Sequence, residues 1–177
     1  MSPPEVIKTK RLQLRRPVME DAKPIFQRYA QDAEVTRYLG WRPHQTLATT
    51  WDFLHRCRTW WEHGTAFSWV ILRQDDKQPL GMIELRIEGH RATVGYALAR
   101  TAWNQGFATE AAQAIVEWAL AQPSIYRVWA FCDVENKASA RVLEKVGMRR
   151  EGVLRRWMIH PNCSSEPRDC YCYALTK

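Results

Sequence analysis

Long apolar runs are missing from this chain. None approaches the ~18 residues that a membrane-spanning helix needs, so no membrane partner is expected, and the opening MSPPEVIKTK lacks the charged-then-apolar layout of a secretory signal. Metal-binding cysteine spacing is missing too. The five cysteines, Cys57, Cys132, Cys163, Cys170 and Cys172, are odd in number and include no C-x-x-C, which argues against a disulfide framework and against a zinc site. Cys170 and Cys172 stand two apart in a strand-like run and face the same side as neighbours along one chain, a poor disulfide geometry. A reducing, cytoplasmic setting is the expectation. Linkers, low-complexity segments and internal repeats are also absent, which leaves one domain over residues 1–177.

What is present is positive charge and tryptophan. A net charge of +7 and a pI of about 9.4 suit an anionic cofactor, acidic partners or nucleic acid without choosing among them. No helix-turn-helix, zinc or stacking motif accompanies the charge, so nucleic acid is not expected. Of nine tryptophans, Trp41, Trp51, Trp60 and Trp61 fall in the first 61 residues. Trp60 and Trp61 are adjacent and cannot both face one core from one helix, so one is free to line a cavity.

Periodicity supplies the elements. RLQLRRP alternates Leu12 and Leu14 with polar residues and reads as a strand. EDAKPIFQRYAQ reads as a helix with an acidic first turn, and TLATTWDFLHRCRTWWEHG as a second, with Leu47, Trp51, Leu54, Arg58 and Trp61 on one stripe and Gly64 at its end. Strand-like runs at 66–73, 80–88 and 92–100 predict an antiparallel meander. A helix to about Gln122 and the β-rich YRVWAFCDV then complete a strand, a crossover helix and a parallel strand. NKASARVLEKVG predicts a helix capped by Asn136 and closed at Gly147. The tail holds two strand-like runs around residues 161–168. The fold class is therefore α/β (α+β), with a mixed, mostly antiparallel sheet, one parallel pair, and helices on both faces.

The loop before the crossover helix carries the chemistry. In TAWNQGFATEAAQAIVEWAL, Gly106 offers bare backbone, Ala108 keeps the next approach open and Thr109 adds a hydroxyl at the first turn. A helix N-terminus has about four unbonded N–H groups and roughly half a positive charge, so this loop reads either as a phosphate cradle or as an ordinary strand-to-helix turn.

This order of elements, with the loop at 103–108 and the helix from Asn136, resembles the GNAT superfamily of acyl-CoA-dependent N-acetyltransferases. KTKRLQLR, GYAL…WNQGFATEA, NKASARVLEKVGM and REG resemble its branch that acetylates ribosomal-protein N-termini. The resemblance implies acetyl-CoA as cosubstrate and a cleft where the parallel strands splay. It implies that Trp103, Asn104, Gln105, Gly106, Phe107, Ala108 and Thr109 hold the pyrophosphate through backbone amides. It implies that Ala97, Leu98 and Ala99 bond the pantetheine arm through their backbones, with the Leu98 N–H stabilising the oxyanion. Trp103 stands where the family has Arg or Gln, and Asn104 where glycine is frequent.

On the helix from Asn136, Leu143 occupies the position of the family's tyrosine acid, which leaves Ser139 to hydrogen-bond or protonate the departing sulfur, or simply to bond a backbone carbonyl. Asn136 is a cap that could also touch the pantetheine amide. Arg141 and Lys145 lie on the other face, as solvated charge or as contacts to the 3′-phosphate. Thr93 occupies the usual general-base position and cannot serve at neutral pH. Glu84 alternates with Ile83 and Leu85 and is either a base or a surface charge; His90 and His160 are further titratable groups.

Two functional classes follow. One is an acetyl-CoA:amine N-acetyltransferase acting by direct transfer in a ternary complex, its acceptor a protein N-terminus or a small amine held between residues 46–63 and 157–168 and walled by Trp51, Trp60 or Trp61. The other is an acyl-CoA-binding sensor without chemistry, which Thr93 and Leu143 favour. No metal is required by either, and both monomer and homodimer are compatible with the sequence.

Overall fold

A computed structural model describes residues 2–75 and 77–177. Eight strands form one sheet in the order β1-β2-β3-β4-β5-β6-β8-β7. They are β1 (Val6–Lys8), β2 (Leu12–Arg15), β3 (Ala66–Arg73), β4 (Pro79–Glu88), β5 (Arg91–Leu98), β6 (Arg127–Asp133), β7 (Arg149–Met158) and β8 (Arg168–Thr176). β3, β4 and β5 form the expected antiparallel meander. β5 and β6 pair in parallel, joined through α4 (Phe107–Ala121). The edge strand β1 escaped the sequence reading because three residues are too few for alternation to register.

Four more α-helices lie among the described residues: α1 (Ala22–Ile25), α2 (Ala33–Thr36), α3 (Leu47–His63) and α5 (Lys137–Lys145). The first expected helix is a composite of a 3-10 turn at Met19–Asp21, α1 and a π turn at Phe26–Ala30. Pro24 has no N–H to give to a regular ladder there. α3 starts at Thr46, whose side chain accepts from the Thr49 N–H, and stops at left-handed Gly64. Its inward stripe is Thr50, Leu54, Cys57 and Trp61, whereas Trp51 and Arg58 face out. Thr50 can turn inward because its hydroxyl is satisfied by His44 Nδ1 at 2.8 Å.

Strand alternation divides the interior into two cores. Ile83, Leu85, Val94 and Leu98 face α4 together with Ala111, Ala112 and Ile115. Val70, Met82, Ala97 and Ala99 face the opposite side, under Ile25 of α1 and Leu54 and Cys57 of α3. The parallel ladder is short. It joins Arg91 to Arg127, Ala92 to Val128 and Thr93 to Trp129, and no later pair follows, while β6 stays bonded to β8 as far as Asp133 and Cys170. β5 and β6 therefore part into a fork.

Candidate functional site

The inner edge of the fork is a strand edge without a partner strand. The Ala99 N–H donates to Leu80 O at 2.8 Å, and the alternation of an antiparallel ladder then turns the backbone of Ala97 toward β4 and that of Tyr96 and Leu98 toward the gap. Three neighbouring backbones cannot all face one cleft. This corrects the expectation that Ala97, Leu98 and Ala99 bond a ligand together, because only Leu98 presents its N–H there. Its carbonyl accepts from Trp103 Nε1 at 2.8 Å, so the indole of Trp103 pins the strand end to the following loop.

Beyond that pin the chain makes a bare helix start. Asn104 and Gly106 have φ of 59° and 78°, the second a conformation that costs glycine little. No side chain caps α4, and its first intrahelical bond is Glu110 N–H to Gly106 O at 3.0 Å. The N–H groups of Gln105, Gly106, Phe107, Ala108 and Thr109 thus have no acceptor among the described residues, which is the condition for anion binding at a helix N-terminus. Beside them lies a cavity of about 560 Å³, lined by Lys8, Lys10, Gly106, Thr109, Gln113 and Lys145 among others.

Arg11 holds this loop in place. Its Nη1 donates to Gln105 O at 2.9 Å, its Nε to Glu110 Oε2 at 2.7 Å and its backbone N–H to Glu110 Oε1 at 2.8 Å. The guanidinium also lies 4.5 Å from the ring centre of Phe107. Burial pushes the Glu110 carboxyl up, but bonds from Thr9 and Arg11 outweigh it and keep the group below its ordinary range. Sequence reasoning missed both residues. Glu110 did carry a signal, as a carboxylate in the first turn of the crossover helix.

Across the fork, Asn136 caps α5 by accepting the Ser139 N–H at 3.1 Å. Ser139 Oγ lies 3.0 Å from the Tyr96 hydroxyl, which also donates to Ser139 O at 3.3 Å. Burial raises the Tyr96 phenol far beyond its ordinary pKa and the Ser139 bond offsets only part of this, so the tyrosine keeps its proton. Tyr96 is a third residue to which the sequence reading gave no role. Leu143 is sealed in the core at 1% exposure, and Thr93 sits in the ladder between Arg86 and Trp129.

Glu84 lies on the opposite face of the sheet, toward α3. It accepts from Ser68 Oγ at 3.2 Å and pairs with Arg86 Nε at 2.6 Å. Its ladder partner is Gly95, above which a Cβ would meet nothing within 4 Å, so open space adjoins the carboxylate on the fork side. Of the three tryptophans expected to wall a pocket, Trp61 is core, packed edge-on against Phe67 and Trp69. Trp60 lies half-buried under Arg86, and Trp51 is exposed. Across the fork on this face stand three rings the sequence reading did not single out: Trp129, Phe131 and Trp157. His90 is exposed in a turn, and His160 is buried 3.6 Å from Asp133. No group of three or more His, Cys, Asp or Glu among the described residues could hold a metal, and no described helix is long and apolar enough to cross a membrane.

The acetyltransferase (GNAT) domain family matches residues 11–149, which include both arms of the fork, the bare helix start and α5. The chain belongs to the GNAT acetyltransferase family. This acetyltransferase is 30% identical to the N-acetyltransferase YoaA of Bacillus subtilis, itself uncharacterized, over 97% of each chain. It superposes on a GNAT acetyltransferase of Bacillus anthracis with a TM-score of 0.84 and 28% identity, covering 97% of this chain and 98% of that one. It has the same fold as the Salmonella typhimurium acetyltransferase that modifies the N-terminal serine of a 50S ribosomal protein. For that pair the TM-score is 0.86 and the identity 21%, over 98% of this chain and 99% of that one.

Proposed function

We propose that residues 1–177 act as one acetyl-CoA-dependent N-acetyltransferase that moves an acetyl group to a primary amine, a protein N-terminus or a small-molecule amine, by direct transfer in a ternary complex. The observation that carries this reading is the fork itself, with the Leu98 N–H turned into the gap and five unbonded N–H groups at the α4 start. These donors fit the cosubstrate: a pyrophosphate accepts from residues 105–109 and takes the positive end of α4, with no metal needed. As a thioester, acetyl-CoA supplies an acetyl group activated for attack by an amine.

The chain's own residues do the rest. The Leu98 N–H donates to the thioester oxygen as negative charge grows there, and removal of one such donor costs about 10²–10³ in rate. Tyr96, whose proton goes to the Ser139 carbonyl and whose oxygen lies 3.0 Å from Ser139 Oγ, holds the serine in place, and the serine's own hydroxyl proton passes to the departing sulfur. Glu84 takes the acceptor's proton directly or through water from the open space above Gly95. Lys145 beside Thr109 attracts the 3′-phosphate. The likeness to an enzyme that acetylates a ribosomal N-terminal serine supports a polypeptide acceptor, whose α-amine has a pKa near 8 and needs only a weak base. All five cysteines are free, which supports a reducing, cytoplasmic setting.

A binding protein without chemistry is the second reading, favoured by buried Leu143 and by Thr93 in the ladder. Thiol release from acetyl-CoA against a panel of amines and N-terminal peptides decides between them. Amine-dependent release that falls in Ser139→Ala and Glu84→Gln is the expected result. Tight acetyl-CoA binding by calorimetry without release for any acceptor would leave the second reading.

A further inference from the structure

The strand β7 carries a distortion that its hydrogen bonding does not require. Leu154 stands opposite Cys170 and Met158 opposite Arg168, four steps along β7 against two along β8, so Arg155, Arg156 and Trp157 bulge out of the ladder. Arg156 adopts a φ of 46°, a left-handed conformation rare for a residue with a Cβ. Both arms of Asp169 hold it there: one oxygen accepts the Arg156 N–H at 2.9 Å, the other accepts Arg155 Nη1 at 2.5 Å. Backbone strain kept in place by a dedicated side chain calls for a reason.

Trp157 is what the bulge delivers. Its ring lies 6.3 Å from Trp129 and 5.9 Å from Phe131, at 69° and 76° to their planes, yet 47% of the residue remains exposed. Trp129 pairs with Thr93 at the last rung before the fork opens, and Phe131 follows where β6 has parted from β5 but stays paired with Cys172 of β8. The three rings thus form a wall on the Glu84 face of the sheet, across the fork from the open space above Gly95. Trp129 Nε1 is buried and has no hydrogen-bond partner among the described residues.

We infer that Trp157, presented by the Arg155–Trp157 bulge, is the specificity-determining residue of the acceptor site, and that the acceptor carries a large apolar, preferentially aromatic, side group beside its amine. This rests on the transferase reading for the position of the amine. With the side group against Trp157 and Phe131, its amine faces the gap between the wall and Glu84. Ring-on-ring contact adds to area burial and favours an aromatic group over a methyl.

The test compares phenylalanine amide with alanine amide, by thiol release and by calorimetric binding, in wild type, Trp157→Ala, Trp157→Phe and Arg156→Gly. The expected wild-type preference for phenylalanine amide is about tenfold in kcat/KM. Trp157→Ala should abolish it by raising the KM for that amine, with kcat, the alanine amide reaction and the KM for acetyl-CoA unchanged. Trp157→Phe keeps a ring, Arg156→Gly keeps the bulge without strain, and both should retain the preference. Equal rates for the two amides in wild type, or equal losses for both in Trp157→Ala, would overturn the inference while leaving the transferase reading intact. Binding of phenylalanine amide that Trp157→Ala abolishes, without thiol release, would uphold the aromatic subsite and remove the transferase reading. Neither binding nor release with any amine would remove both.

Discussion

Tyr96 on β5 and Ser139 on α5 share a 3.0 Å hydrogen bond across the fork, just beyond the last rung that joins β5 to β6. The bond closes a gap that the ladder leaves open. It also fixes the serine's orientation, since Tyr96 holds both Oγ and the carbonyl of the same residue.

Replacing Tyr96 with Phe should therefore lower kcat about tenfold by freeing the Ser139 rotamer, and leave the acetyl-CoA Kd unchanged. Ser139→Ala should cost more, in the range of about 10²-fold for a lost general acid. If the tyrosine acts through the serine, Tyr96→Phe added to Ser139→Ala costs nothing further. Steady-state kinetics on the three variants check this. Additive losses would give Tyr96 a role of its own.

Arg11 and Glu110 act one level further out. They touch the loop from the side, so Glu110→Gln should disorder the bare helix start without removing any ligand donor. Misplacing such donors by about an ångström costs on the order of 10- to 100-fold, and the loss should appear as a raised acetyl-CoA Kd in calorimetry, with the amine KM unchanged. Arg11→Met should give the same change. Equal Kd values for wild type and both variants would show that the loop is rigid without the clamp.

Much of this was legible in the sequence, and the rest was hidden for definable reasons. The meander, the crossover unit and the 103–109 loop announce themselves through local signals, alternation, helical period and one glycine. The inward stripe of α3 was misread because Thr50 is not a conventional core residue and Trp51 is a large apolar one, yet Thr50 finds His44 and turns in. Which backbone groups of residues 97–99 face the gap depends on the phase of the β4–β5 ladder, set by the Ala99–Leu80 bond, and no residue type encodes phase. Tyr96, Arg11 and the Trp157 bulge owe their roles to partners 43, 99 and 13 residues away along the chain, contacts that a window on the sequence does not span.

The β6 side of the fork depends on one buried charge. Asp133 ends β6 at 1% exposure and is held by Arg168 through Nε at 2.6 Å and Nη2 at 3.1 Å. Burial alone would raise its pKa; the Arg168 bonds, helped by the Glu135 N–H, reverse this and hold the carboxyl below its ordinary range. A carboxylate with a depressed folded pKa stabilises the protein fully above its unfolded value of about 3.9, and that contribution is lost as pH falls through the folded pKa. Arg168→Met keeps the bulk of the side chain but leaves the charge unpaired, at a cost of about 3–5 kcal/mol at pH 7. Without Arg168 the burial effect wins, the Asp133 pKa rises, and protonation removes the unpaired charge. Urea unfolding should accordingly show the largest gap between wild type and variant at neutral pH and a narrowing gap as the pH is lowered toward 4. A gap that stays constant over this range would assign the loss to packing, since a methionine that merely fits badly is indifferent to protons.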